Sequence, residues 1–289
     1  MSALPDLPPV LAEYELACSA RSACARHRDW LELLERAGYG VNSEPASRTS
    51  ALAGRRPLEE LATARGTLLL RRFTHGGLMR SLTGSRFGDP ARPFHELALS
   101  ARLRARGIAT PLLVGARARA ARGGGWFLDV LSLRVEGARD LESLLAELRR
   151  GAARPPGFAD IVHGAGAFVR RLHDAGLYHV DLTTKNLLVC EGPRFVVLDL
   201  DRSQVLEPLP ASSRERNLRR LLRFVLRHEE RGARALATRD YLRFLSGYEP
   251  QPAPRRKIAR AVFEAHSRHL RWHRLGWGLE RLLGLRRGS

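Results

Sequence analysis

Apolar residues along the chain recur with two periods, and the period changes from segment to segment. Trp30, Leu33 and Leu34 share one face of a helix predicted over Asp29–Ala37, which Gly38 ends. Residues 40–56 are polar, with Gly, Pro and Ser among them, and read as a loop. Thr67-Leu-Leu-Leu-Arg-Arg-Phe73 is a strand, stopped by Thr74-His-Gly-Gly77. Residues 82–92 are loop-like, and a helix follows from Phe94 to Arg106, with Phe94, Leu97, Ala98 and Ala101 on one face. Pro111–Ala116 and Trp126–Val135 are two strands joined by a hairpin tip at Arg122-Gly-Gly-Gly125.

Glu136-Gly137 breaks this pattern, and helical periodicity dominates afterwards. Leu141–Leu148 is a short helix, and residues 151–157 form a Pro/Gly linker. Phe158–Ala175 is strongly periodic, with Ile161, Val162, Ala165, Phe168, Val169 and Leu172 on one stripe and Gly176 after it. An amphipathic segment near Asn217–His228 and further helical segments run to residue 285. The order implies an α+β chain with a small sheet-rich N-lobe and a mainly helical C-lobe, as in a two-lobed protein-kinase-like fold. The expected divisions are a partly helical N-terminal extension over 1–50, the N-lobe over 51–136 and the C-lobe over 137–289.

Composition adds a class of partner. Of 289 residues, 44% are hydrophobic, enough for a sizeable core. Forty-nine Lys+Arg oppose 30 Asp+Glu, a formal net charge of +19. Such a field attracts anions: nucleic acid, an anionic membrane face or a phosphorylated substrate. An Arg-rich genome would produce part of the same excess, so the charge does not identify the partner. No apolar run approaches the roughly 18 residues of a membrane span, and the start of the chain shows no signal-peptide pattern. Three cysteines without ligand spacing suggest a reducing interior.

The chemistry-bearing stretch is His179-Val-Asp-Leu-Thr-Thr-Lys-Asn186, followed by a turn and a strand that ends in Leu198-Asp-Leu-Asp201. Phosphoryl transfer needs positioning and charge compensation more than covalent partners. Asp181 is the candidate to orient an acceptor hydroxyl and take its proton. Mg²⁺ prefers oxygen ligands, and Asn186 and Asp199 are the candidates. His179 reads as a loop-packing residue. Glu96, in the helix after the first strand, is the acid expected to hold a phosphate-binding cation. That cation is Arg71 or Arg72, where a kinase usually has Lys; strand alternation puts them on opposite faces, and Arg71 is preferred.

These residues resemble the lipopolysaccharide kinase family, and within it the kinases of 3-deoxy-D-manno-octulosonic acid (Kdo). The resemblance is carried by Leu70-Arg-Arg-Phe-Thr-His-Gly-Gly-Leu78, Arg92-Pro-Phe-His-Glu96, Leu172-His-Asp-Ala-Gly-Leu-Tyr-His179, the Asp181–Asn186 loop, Leu198-Asp-Leu-Asp-Arg202 and the basic helix at Asn217–Arg223. It spans about residues 50–230. It implies ATP- and Mg²⁺-dependent phosphorylation of a sugar hydroxyl, the 4-OH of Kdo, on a lipid A–core acceptor. Asp181 would be the catalytic aspartate, with Asn186 and Asp199 on the metal. The setting would be the cytoplasmic face of a Gram-negative inner membrane, with an anionic glycolipid and the membrane surface as partners and no nucleic acid.

The sequence also departs from kinase patterns. No Gly-x-Gly-x-x-Gly precedes residue 67, though Gly54-Arg-Arg stands near its place, and no Gly follows Asp199-Leu200. The alternatives are a core heptose kinase, an aminoglycoside-type phosphotransferase and a non-catalytic kinase-like binding module. A protein kinase is disfavoured by the lack of Ala-Pro-Glu after Asp199. The Arg/Leu helix at 216–227 either packs its apolar stripe inward or lies on the membrane surface.

Overall fold

The computed structural model describes residues 12–50, 58–74, 85–190, 194–229 and 234–264. The expected Gly-Gly segment at 76–77, the Gly54-Arg-Arg stretch, the Glu191-Gly-Pro turn and the segments beyond 264 lie outside them. The chain groups into two compact units, Met1–Gly137 with Val196–Gln204, and Ala138–Phe195 with Val205–Ser289.

The first unit is built on one antiparallel sheet. Its strands are β1 (Tyr14–Ser19), β2 (Ser22–His27), β3 (Arg48–Thr49), β4 (Glu59–Thr63), β5 (Gly66–Arg72), β6 (Leu113–Ala120) and β7 (Trp126–Leu133), with helix α1 (Leu31–Arg36) after β2 and α2 (Arg92–Ala105) after β5. The spatial order is β1-β2-β6-β7-β5-β4-β3. Period-2 alternation divides the strand residues between two cores. Ala23, Ala25, Phe73, Ala116, Ala118, Leu128 and Val130 pack with Phe94 and Leu97 of α2. Cys24, Leu61, Leu68, Leu70, Val114 and Leu131 pack with Trp30, Leu34 and Tyr39. Gly123, Gly124 and Gly125 all have positive φ at the β6–β7 tip, the conformation that glycine adopts without a Cβ clash.

One expectation is corrected here. Residues 1–50 were expected to be a partly helical extension, yet β1 and β2 belong to the sheet, and β2 pairs with β6 from Ser22↔Arg119 to Arg26↔Gly115. Ser22-Ala-Cys-Ala25 is buried on both sides. It therefore shows no inward–outward alternation, and its small residues carry little β-propensity.

A buried charge fixes the 39–43 segment on this sheet. Arg117 is 0% exposed; its Nε and Nη2 donate to Asp129 Oδ2 at 3.1 and 2.9 Å. Its Nη1 donates to the Gly40 and Ser43 carbonyls, and the Tyr39 hydroxyl donates to Asp129 Oδ1 at 2.8 Å. Pairing of this completeness is what lets a charge sit in a core.

The second unit is mainly helical: β8 (Arg139–Asp140), α3 (Leu141–Arg149), α4 (Phe158–Asp174), β9 (Leu177–Tyr178), β10 (Leu187–Val189), α5 (Ala211–Glu229) and α6 (Thr238–Tyr248), with residues 252–264 also helical. Asp140 caps α3, accepting from the Ser143 backbone N–H at 2.8 Å. The apolar stripe of α5 is buried: Leu218, Leu221, Leu222 and Val225 face inward. The inward-packing alternative for this helix is therefore the observed one.

Helices α4 and α6 cross backbone to backbone. A Cβ on Gly166 would lie 2.0 Å from the Phe244 carbonyl oxygen, and one on Gly247 would lie 2.0 Å from that of His163. No rotamer change relieves a clash with backbone, so the helices must move apart. Gly247→Ala should destabilise the protein by about 2–3 kcal/mol, read as a lowered urea midpoint. An unchanged midpoint would contradict this crossing.

Candidate functional site

Two groups of functional side chains form, one in each unit. In the first, alternation along β5 turns Arg71 to the α2 side, where Phe73 is also buried, and Arg72 to the other side, where it pairs with Glu59 at 2.7 Å. Arg71 Nη2 donates to both carboxylate oxygens of Glu96 at 2.5 Å, and its Nη1 lies 3.2 Å from Asp199 Oδ1. Glu96 is only 5% exposed. Burial pushes its carboxyl up to about 7, against the opposing pull of Arg71, and repulsion from Asp199 and Asp201 adds to the rise. Burial works against the Arg71 charge as well, but Glu96 and Asp199 outweigh it and raise its pKa. Arg71 is thus a permanent cation held by one buried acid and one acid that is 41% exposed.

A second arginine anchors the same strand end. Arg92, at the start of α2, donates through Nε to Asp201 Oδ1 at 3.2 Å and through Nη2 to Oδ2. Its guanidinium lies 4.7 Å from the Phe87 ring centroid. Asp199 itself has φ 56°, the left-handed region, which costs a non-glycine residue roughly 1 kcal/mol. The ion pairs on either side of Leu200 offset that cost and fix where the Asp199 carboxylate points.

In the second unit the Asp181 loop is held by its backbone. Asn217, on the buried face of α5, acts as a second peptide group: its Nδ2 donates to the His179 carbonyl at 2.7 Å, and its Oδ1 accepts from the His179 N–H at 3.2 Å. His173 Nε2 lies 3.3 Å from the same Oδ1, and its Nδ1 lies 2.8 Å from the Tyr248 hydroxyl. Oδ1 can only accept, so Nε2 carries the proton and Nδ1 accepts from Tyr248. Burial, with the Arg214 charge, pushes His173 down to about 4, so it stays neutral.

The loop closes on itself. His179 is buried, and its Nδ1 accepts from the Asp181 N–H at 3.1 Å. Asn186 Nδ2 donates to the Asp181 carbonyl at 2.8 Å, which leaves Asn186 Oδ1 as the oxygen it can offer to a metal. Thr184 donates to buried Glu142 at 2.7 Å. The Asp181 carboxylate receives Arg220 Nη1 at 2.9 Å.

The structure thus gathers Arg71, Glu96 and Asp199 in one unit, and Asp181 and Asn186 in the other. Sequence reasoning missed Arg92, Asn217, Arg220 and His173 as functional residues. Two of them left a trace: Asn217 and His173 are polar residues at core positions of amphipathic helices. The pairing of Arg92 with Asp201 and of Arg220 with Asp181 left none, because the partners are 109 and 39 residues apart in the chain.

The profile of the lipopolysaccharide kinase (Kdo/WaaP) family matches residues 41–248. The 3-deoxy-D-manno-octulosonic acid kinase of Actinobacillus succinogenes is 31% identical over 62% of this chain and 74% of its own length. The kinase of the same name from Stenotrophomonas maltophilia is 30% identical over 64% of this chain and 72% of its own. That of Vibrio cholerae is 30% identical over 56% and 71%. Among solved structures, WaaP in complex with acyl carrier protein superposes with a TM-score of 0.54 at 20% identity, over 82% of this chain and 90% of that one. That likeness confirms the kinase-like α+β fold. The family's span takes in both groups of side chains, and the chain belongs to the lipopolysaccharide kinase (Kdo/WaaP) family.

Proposed function

We propose that this kinase transfers the γ-phosphoryl group of ATP to the 4-hydroxyl of Kdo on a lipid A–core acceptor. The observation that supports the chemistry best is Asp181: its backbone is fixed on both sides, by His179 Nδ1 and by Asn186, while its carboxylate is left partly exposed. Asp181 orients the acceptor hydroxyl and takes its proton. Arg71, steadied by Glu96, contacts the nucleotide phosphates. A core heptose remains the second acceptor to test.

Each residue expected on Mg²⁺ has the donor chemistry for it, Asn186 in the second unit and Asp199 in the first. Asn186 Oδ1 and the Asp199 carboxylate are hard oxygen donors, and an Asp held at positive φ by flanking ion pairs is a pre-set ligand. Among the described residues no cluster of three or more His, Cys, Asp or Glu forms a closed metal cage. That suits an ion that keeps water and phosphate oxygens around it. When bound, Mg²⁺ would neutralise charge on the transferring phosphates.

The acceptor's anionic character agrees with the formal net charge of +19. Among the described residues no helix is long and apolar enough to cross a membrane. We place the enzyme on the cytoplasmic face of the inner membrane, bound through charge.

Incubation with MgATP and a Kdo–lipid A precursor should add one phosphate to Kdo, located by fragmentation mass spectrometry. Phosphate on a heptose of a longer acceptor, with none on Kdo, would overturn the Kdo assignment. Asp181→Asn should cut kcat roughly 10²–10⁴-fold with an unchanged melting temperature. An unaltered rate would remove Asp181 from the mechanism. Protonation of Glu96 below about pH 7 removes the charge that holds Arg71, so kcat/KM for ATP should fall as pH drops through that value. Glu96→Gln should be slower and lack this acid limb; persistence of the limb would assign it to another group.

A further inference from the structure

The outer face of α5 carries a row of arginines, three of which form no ion pair among the described residues. At 100° per residue, Arg216, Arg219, Arg220, Arg223 and Arg227 fall within an arc of about 100° and extend about 17 Å along the axis. The opposite face buries Leu218, Leu221, Leu222 and Val225. Arg216 is spent on Tyr178, whose ring centroid is 5.5 Å away, and Arg220 on Asp181. Arg219, Arg223 and Arg227 are exposed, and among the described residues none of them forms an ion pair.

The row repels itself. Burial, and then Arg220, Arg219 and Arg227, lower the Arg223 pKa. Two acids near the row are already engaged: Asp181 by Arg220, and Glu142 by Arg149 and Thr184. Like charges at i,i+4 destabilise a helix, and among the described residues no ion pair offsets them at Arg219, Arg223 or Arg227.

An anionic ligand would offset them. Guanidinium forks match phosphate oxygens in pairs, and the row is longer than one phosphate. Arg220, within the row, touches the Asp181 carboxylate, so a ligand that lies along the row from there to Arg227 has one part at the acceptor hydroxyl. Bilayer insertion is disfavoured because the apolar face of α5 is turned inward.

We propose that Arg219, Arg223 and Arg227 form a subsite for a phosphate group of the glycolipid acceptor, remote from the hydroxyl that meets Asp181. This rests on the reading of Asp181 as the base. Arg220 is the positioning residue between the two sites.

The test compares wild type with the Arg223→Gln/Arg227→Gln double variant, both checked for unchanged melting temperature. Binding is measured to Kdo–lipid A in detergent micelles, to the same glycolipid stripped of its phosphates, and to phosphatidylcholine vesicles containing phosphatidylglycerol. The subsite predicts tighter wild-type binding to the phosphorylated form. It also predicts roughly tenfold or greater loss in the variant for that form alone, with acceptor KM rising in parallel and KM for ATP retained. Equal losses for both glycolipids, or no loss, would overturn it. Loss confined to the vesicles would assign the row to bilayer headgroups and overturn it too. Selective glycolipid binding without phosphorylation of Kdo would instead leave the subsite standing and remove the Kdo-acceptor reading.

Discussion

The first unit depends on the ion pair between Arg71 and Glu96. Glu96 is buried and Arg71 half-buried, and an unpaired carboxylate at the Glu96 position would cost several kcal/mol. Together they tie β5 to α2, beside apolar packing around Phe73, Phe94 and Leu97. The pair also reaches beyond itself. Arg71 has a second partner in Asp199, and the neighbouring Arg92–Asp201 pair fixes the same strand end. The motifs at 70–73, 92–96 and 198–202 therefore form one cross-bonded ionic cluster, which gives their joint presence in the sequence a physical reason.

The Asp181 loop is held by different means. Apart from the Thr184–Glu142 bond, the support described for it is neutral: the Asn217 amide paired with the His179 backbone, and a neutral His173 relayed to Tyr248. Neutral hydrogen bonds are satisfied at every working pH and place no charge beside the proposed base. The Asp181 carboxylate pairs with Arg220, which is 38% exposed and open to exchange with a ligand. One group of functional residues is thus organised by charge and the other by amides.

Much of this was legible in the sequence, and what was missed has definite causes. The β5 strand, the α2 and α4 helices and the Gly-rich hairpin showed clear periods or clear punctuation. Alternation along β5 preferred Arg71 to Arg72 as the partner of Glu96, and that is the pair observed. Strands β1 and β2 escaped because Ala and Cys covered on both faces leave no period to read. Arg92 with Asp201, and Arg220 with Asp181, escaped because charge pairing over such separations is a property of topology. Periodicity placed the apolar stripe of α5 but not what it packs against, so only the structure decided between core and membrane.

The central claim is that Arg71 works as a phosphate-binding cation only because Glu96 holds it. A double-mutant cycle on ATP affinity with Arg71→Ala, Glu96→Ala and the double variant tests it most directly. Coupling of about 1–3 kcal/mol is predicted, with the double variant little worse than Arg71→Ala alone. Additive losses would show that the two side chains act independently and would contradict the account.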